Sequence, residues 1–148
     1  MKLTITKDHR SAPVTILSLE GSLDGTNYTS LVKEAQIVYA AGVRDIILDL
    51  GKLDYLSSAG LVALHRVGLL FRGEENPEQD EGWAAYHALD RDRDSGIQEH
   101  VKLAGPTGNV LQVLEMVGFT VFFGIYPDLH QAESSFLTLA TTKETYLP

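Results

Sequence analysis

Apolar and polar positions along the chain alternate in a way that predicts five short strands and four helices. The third strand pattern is apolar throughout its centre, as expected of an interior strand that is buried on both faces. Strand patterns cover residues 3–6, 14–19, 43–50, 101–105 and 120–126. Helical spacing of apolar residues covers 28–39, 58–72, 107–117 and 127–139.

The order of these elements predicts an α/β fold. Two strands come first, and helices and strands then alternate, which is typical of crossover connections between parallel strands. We expect a mixed, mostly parallel sheet of about five strands packed with about four helices, with one antiparallel pair at the start. Residues 1–140 form one domain in this interpretation, and residues 141–148 form a C-terminal tail.

An acidic segment interrupts the pattern between the second helix and the fourth strand. Residues 73–100 carry nine acidic and two basic side chains, so they hold −7 of the net charge of −8. They also contain one apolar island, Trp83–Leu89. We interpret 73–100 as an insertion. The acidic balance and the lack of a basic stripe argue against binding to nucleic acid or to an anionic membrane surface.

The chain has no cysteine, which excludes disulfides and thiolate metal sites. Its first residues lack the apolar stretch of a signal peptide. No apolar run approaches the roughly 20 residues that a membrane-spanning helix needs. We therefore expect a cytoplasmic protein without a membrane association.

Two adjacent serines, Ser57 and Ser58, stand where the third strand passes into the second helix. A hydroxyl at a helix start can cap the helix by accepting a main-chain hydrogen bond. The same place tolerates a phosphate, because the free N–H groups and the helix dipole favour negative charge there. The loop Asp24–Asn27 leads into the first helix, and we expect it at the same edge of the sheet. Asp24 or Thr26 could serve only as a helix cap.

Three enzymatic or ligand-binding interpretations of the sequence are weaker. A serine hydrolase needs a base beside the serine, but His65 lies about two helical turns, roughly 10 Å, beyond Ser58. The run Asp90–Gly96 resembles the start of a calcium loop, but its glycine is one place late and position twelve is Val101 rather than glutamate. The loop Gly105–Asn109 lacks the lysine of a phosphate-binding loop.

The element order and several short motifs resemble the STAS domain of bacterial anti-sigma factor antagonists. The motifs are Glu20–Asp24, Asp49–Leu50, Tyr55–Leu61, Leu114–Phe119 and Tyr126–Ala132. The family motif at the second helix reads roughly aromatic, apolar, Asp, Ser, Ser or Thr, Gly, Leu. Ser58 matches its first hydroxyl, whereas Ser57 replaces the aspartate and Ala59 replaces the second hydroxyl. The resemblance covers most of residues 1–72 and 101–139.

The resemblance implies a non-enzymatic switch in transcription regulation. The unphosphorylated domain would bind an anti-sigma factor that is also a serine kinase, phosphorylation would break the complex, and a serine phosphatase would restore it. Ser58 would be the acceptor, with Ser57 beside it. No catalytic residue, cofactor or metal is expected. The partner-binding residues implied are Asp24, Asn27, Ser57, Ser58, Ala59, Gly60 and Leu61.

A second hypothesis assigns the chain a structural role. STAS-like domains also occur as scaffolds in stressosome-type complexes and in transport machinery. In that case the serines would not be a switch, the acidic insertion would be a docking element, and the chain could form homo-oligomers. A third hypothesis, binding of a nucleotide or another small molecule at the strand ends, rests on analogy with the fold alone.

Overall fold

A computed structural model describes residues 2–11, 14–73 and 98–136. Its strands are β1 (Leu3–Ser11), β2 (Val14–Leu23), β3 (Asp45–Leu56), β4 (Gln98–Ala104) and β5 (Phe123–Tyr126). The helices are α1 (Tyr28–Ala40), α2 (Ser58–Phe71), α3 (Gly108–Met116) and α4 (129–136), and a 3-10 turn spans Phe119–Val121. The predicted α/β fold, with about five strands and four helices, is confirmed.

The five strands form one sheet in which spatial order follows chain order, β1-β2-β3-β4-β5. β1 and β2 are antiparallel, and the other three pairs are parallel. β3 lies in the middle, and six of its residues are buried. This explains why its sequence is apolar in the centre, since a central parallel strand is covered on both faces.

Each face of the sheet packs against different helices. The larger cluster joins α1, α2 and α3 to one face, through residues such as Leu31, Leu64, Leu114, Leu48 and Leu103. The smaller cluster joins Val14, Ile16, Ile47 and Ala104 on the other face to Ala132 of α4. Alternate residues of the same strands supply the two clusters, as the period of two along a strand requires.

One lysine belongs to the face that α4 covers. Lys102 lies in β4 with only 4% of its surface exposed. Its ammonium group donates a hydrogen bond to the Ser135 hydroxyl at 2.8 Å and lies 4.1 Å from the Phe136 ring centroid. Burial lowers the pKa of Lys102, although the charges of Asp45 and Glu99 oppose the shift.

Several boundaries differ from those predicted. The first three strands all end later than expected, at Ser11, Leu23 and Leu56 instead of at 6, 19 and 50. The strand expected over 120–126 begins at Phe123, because Gly118, with φ of 78°, turns the chain into the 3-10 turn. β4 begins at Gln98, three residues inside the segment that we assigned to the insertion. Residues 74–97, with the apolar island and the candidate calcium loop, lie outside the described residues, and so does the tail 141–148.

Among the described residues, no helix is long and apolar enough to span a membrane.

Candidate functional site

The loops after β2 and β3 meet at one edge of the sheet. Leu23 and Leu56 are partners in the parallel register, and each is the last residue of its strand. The Ser57 N–H then donates to the Leu23 carbonyl oxygen at 3.0 Å, which extends the pairing by one bond. The structure therefore brings the two predicted loops together, with Asp24 following one strand end and Ser57 the other.

Ser57 is the N-cap of α2. Its main chain is extended, with φ of −90° and ψ of 176°, and its hydroxyl oxygen accepts a hydrogen bond from the Gly60 N–H at 3.2 Å. The Ser57 carbonyl accepts from the Leu61 N–H at 3.0 Å, which closes the first helical turn. The hydroxyl of Ser57 thus caps the N-terminus of α2.

Ser58 occupies a different environment from its neighbour. It is the first residue of α2 and is exposed to solvent. Within the part of the chain that the structure describes, its hydroxyl makes no hydrogen bond. A phosphate on Ser58 would therefore require no helix cap to be broken, and it would lie at the positive end of the α2 dipole.

The remaining residues of the predicted motif are buried or half-buried. Gly60 is buried, and Leu61 is only 4% exposed. Ala59 is half-buried. The side chain of Leu61 belongs to the main core, and its contact with a partner stays a prediction. Leu61 anchors the start of α2, on which Ser58 is displayed.

The loop Asp24–Asn27 is held by its own side chains. One carboxylate oxygen of Asp24 accepts from the Thr26 N–H at 2.9 Å and from the Thr26 hydroxyl at 2.6 Å. The Asn27 side chain accepts from the Asp24 N–H and donates to the Ser22 carbonyl. These four hydrogen bonds hold the loop in place beside Ser57.

Asp24 and Thr26 do not cap α1. The N-cap is Asn27, whose side chain makes no capping bond because it is used within the loop. Asp24 is buried, with 9% of its surface exposed. The Thr26 hydroxyl, and after it the Thr26 N–H, hold the pKa of Asp24 below its ordinary value of 3.8. The carboxylate is thus charged at neutral pH.

Sequence reasoning did not include Tyr55 among the partner-binding residues. Its side chain is 41% exposed, although it follows the buried Leu53 and precedes the buried Leu56. It lies two residues before Ser57, and aromatic side chains at a binding surface often carry much of the binding energy. The alternation of the strand could not reveal this exposure, because it places Tyr55 on the same face as the buried Leu53, and the register with β2 shifts between these two residues.

The competing chemistries find no support in the described residues. His65 is buried, with its ring 5.2 Å from that of Phe122. No group of three or more histidine, aspartate or glutamate side chains in the described ranges could hold a metal ion. In the loop before α3, Thr107 is the N-cap but makes no capping bond through its side chain.

A comparison with known protein families finds a similarity in the first part of the chain. Residues 4–69 match the sequence model of the STAS domain, a stretch that runs from β1 to the last turn of α2. Both loops of the candidate site lie within it. The predicted resemblance to the STAS domain is thereby confirmed for these residues. A comparison with curated protein sequences gives no match.

Solved structures with the same fold extend the likeness to most of the chain. An anti-sigma factor antagonist from Mycobacterium paratuberculosis is 18% identical, with a TM-score of 0.62, and the match covers 90% of this chain and 93% of that chain. A candidate anti-sigma factor antagonist from Thermotoga maritima is 16% identical, with a TM-score of 0.66 and coverage of 88% and 92%.

SpoIIAA is similar at lower identity. The anti-sigma factor antagonist SpoIIAA in its unphosphorylated form is 13% identical, with a TM-score of 0.53 and coverage of 91% and 98%. The phosphorylated form of the Bacillus protein gives 13% identity, a TM-score of 0.55 and coverage of 90% and 99%. At these identities the likeness shows the fold.

Proposed function

We propose that this chain is an anti-sigma factor antagonist-like binding protein, switched by phosphorylation of Ser58. Its partner is an anti-sigma factor that is also a serine kinase, and a serine phosphatase reverses the modification. The protein acts in the cytoplasm as a regulator of transcription and not as an enzyme. It needs no cofactor or metal, because the switch consists of a charge placed on a docking surface.

The observation that supports this proposal is that the hydroxyl groups of the two serines have different environments. The Ser57 hydroxyl accepts a hydrogen bond from the Gly60 N–H, whereas the Ser58 hydroxyl is exposed and makes no hydrogen bond with the described residues. A phosphate adds about −1.5 to −2 charges at neutral pH. On Ser58 it would add this negative charge to the local surface while the cap of α2 stays in place.

The surroundings of Ser58 support a partner surface. Tyr55 supplies an exposed aromatic side chain, and the Asp24–Asn27 loop is fixed next to the start of α2. The solved structures that share the fold include SpoIIAA in both its phosphorylated and its unphosphorylated form. These observations favour a phosphorylation switch over a permanent scaffold.

Phosphorylation by the cognate kinase tests the proposal. The chain is incubated with ATP and the kinase, and the modified residue is located by mass spectrometry. We expect phosphate on Ser58 in the native chain and in Ser57→Ala, and none in Ser58→Ala. The substitution Ser58→Asp should weaken partner binding by at least about tenfold, or 1.4 kcal/mol.

Two results would contradict the switch. One is phosphate that appears on another residue while Ser58 stays unmodified. The other is a partner affinity that Ser58→Asp leaves unchanged. If light scattering then shows a stable assembly that Ser58→Asp does not alter, the scaffold hypothesis gains, since Ser57 and Ala59 both depart from the family motif.

A further inference from the structure

α4 covers the second face of the sheet through a small apolar cluster. Among the described residues, five are buried in this cluster: Val14, Ile16, Ile47, Ala104 and Ala132. Only Ala132 belongs to α4, and Leu129 and Phe136 pack beside it half-buried. In the described part of the chain, α4 therefore buries one residue, against two for α3 and four for α1. A region with few buried apolar contacts is where a folded protein opens locally.

A charged side chain lies under α4 beside this cluster. Lys102 and Ala104 are alternate residues of β4, so both side chains point to the face that α4 covers. The Lys102 ammonium group donates to the Ser135 hydroxyl at 2.8 Å and lies 4.1 Å from the Phe136 ring centroid. The Tyr126 ring centroid is 5.9 Å away. Contacts from α4 therefore help to keep this ammonium group out of water.

The burial of this ammonium group is not fully compensated. Of its three N–H donors, the described residues satisfy one, through the Ser135 hydroxyl. The carboxylates of Asp45 and Glu99 attract the charge, but Asp45 also pairs with the His100 ring at 2.8 Å. Burial outweighs this attraction, as the lowered pKa of Lys102 shows. Because a buried charge without full compensation is costly, the charge favours a state in which α4 no longer covers it.

We propose that α4 is a cover that lifts from the sheet as a unit while the rest of the domain stays folded, and that the buried charge of Lys102 promotes this opening. Lifting α4 exposes the small cluster and returns the ammonium group to water. It breaks no strand pairing, because α4 follows β5, the last strand of the described sheet. The exposed residues Pro127 and Asp128, which join β5 to α4, are the hinge.

The opening of α4 leaves the candidate site in place. The helices α1 and α2 pack on the opposite face of the sheet, in the larger cluster. The bond from the Ser57 N–H to the Leu23 carbonyl, which joins the two loops of the site, does not involve α4. The inference therefore stands or falls independently of the proposed function. It gives the second face of the sheet a covered and an uncovered state.

Native-state hydrogen exchange of the full chain, followed by NMR, tests the proposal. The amide of Ala132, which donates to the Asp128 carbonyl at 3.2 Å, reports on α4, and the amide of the buried Val67 reports on α2. After correction for intrinsic rates, the α4 amide should exchange at least about tenfold faster than the α2 amide. Its exchange should also depend less on low concentrations of urea, because a local opening exposes less surface than global unfolding.

A matched pair of variants tests the role of the charge. Lys102→Met removes the buried charge and should slow the exchange of the α4 amide roughly fivefold. Lys33→Met makes the same change at an exposed position of α1 and should have no effect on that amide.

Acetylation of the native chain with an N-hydroxysuccinimide ester gives a second measurement. The amine of Lys102 should react more slowly than that of the exposed Lys33, and it should react at the rate that the opening of α4 allows. Mass spectrometry of the peptides measures both reactions.

Three outcomes would overturn the inference. One is an α4 amide with the same protection and the same urea dependence as the α2 amide, since α4 would then open only with the whole domain. Another is α4 exchange that Lys102→Met leaves unchanged, or that Lys33→Met changes equally. The last is acetylation of Lys102 only at the rate of global unfolding, a result that the native chain gives even if Lys102→Met does not fold.

Discussion

Gly60 of α2 lies directly against the carbonyl oxygen of Leu23 at the end of β2. A Cβ built on Gly60 would come within 2.7 Å of that oxygen and within 2.7 Å of the Leu56 side chain. Because a main-chain oxygen cannot move aside as a flexible side chain can, the helix start is fixed relative to both strand ends. The close approach sets the position of Ser58.

Gly60→Ala should lower the free energy of unfolding by about 1–3 kcal/mol, the usual cost of overpacking a tight site. Chemical denaturation measures the loss. Gly25→Ala is the control from the adjacent loop, since a Cβ there meets nothing within 4 Å. It should change stability by less than about 0.5 kcal/mol. Equal stability of the two variants would mean that α2 shifts freely.

The two serines should differ in their effect on stability. Ser57→Ala removes the cap of α2 and should cost about 1 kcal/mol in the free energy of unfolding. Ser58→Ala removes an exposed hydroxyl and should cost less than about 0.5 kcal/mol. Thermal and chemical unfolding of the two variants, beside the native chain, measures both. A larger loss for Ser58→Ala would reverse the assigned roles.

The stabilisation by Asp24 should depend on pH. Because the pKa of Asp24 is lowered in the folded state, its charged form favours folding at pH values above the unfolded value, near 3.8. That contribution is lost as the pH falls through the folded-state pKa. Asp24→Asn should therefore be less stable than the native chain at pH 7, and the difference should shrink below pH 3.8. A difference that stays constant from pH 7 to pH 2 would contradict this.

Lys102 should oppose folding while it is charged. Its pKa is lowered by burial, so the folded state favours the neutral amine, and stability should rise as the pH increases from the folded-state pKa to the ordinary value of 10.5. Lys102→Met should stabilise the chain by about 1 kcal/mol at pH 7, because it removes the desolvation cost.

Ser135 tolerates the loss of Lys102, since its hydroxyl also donates to the Ala132 carbonyl at 2.6 Å. Urea unfolding across the pH range compares the two chains, and the advantage of Lys102→Met should diminish as the pH approaches 10.5. Lower stability of the variant at pH 7 would show that the Ser135 and Phe136 contacts outweigh the desolvation cost.

The apolar pattern of the sequence was sufficient to predict most of the fold. The continuous apolar centre of β3 and the helical spacing of Leu61 and Leu64 reflect burial. Such burial does not depend on which particular residues are the neighbours, so the pattern alone was enough to predict it. The segment 120–126 was harder, because its aromatic and β-branched residues favour a strand. The structure instead gathers Phe119, Phe122 and Phe123 into ring contacts of 4.7–6.5 Å, which the turn after Gly118 permits.

The candidate site was predicted only in part. The sequence placed Ser57 and Ser58 at a helix start, but either hydroxyl could have been the cap until the extended main chain of Ser57 was known. The buried position of Lys102 could not be predicted either, because its partners Ser135 and Phe136 lie more than thirty residues further along the chain.

The strands lie in the sheet in the same order in which they occur along the chain, and this has a consequence for folding during synthesis. Each new strand joins the outer edge of the sheet already formed, so no strand has to be inserted between two earlier ones. Both loops of the candidate site are complete once α2 has been synthesised. During synthesis, the residues proposed for partner recognition therefore emerge before β4 and β5, which belong to the other side of the sheet.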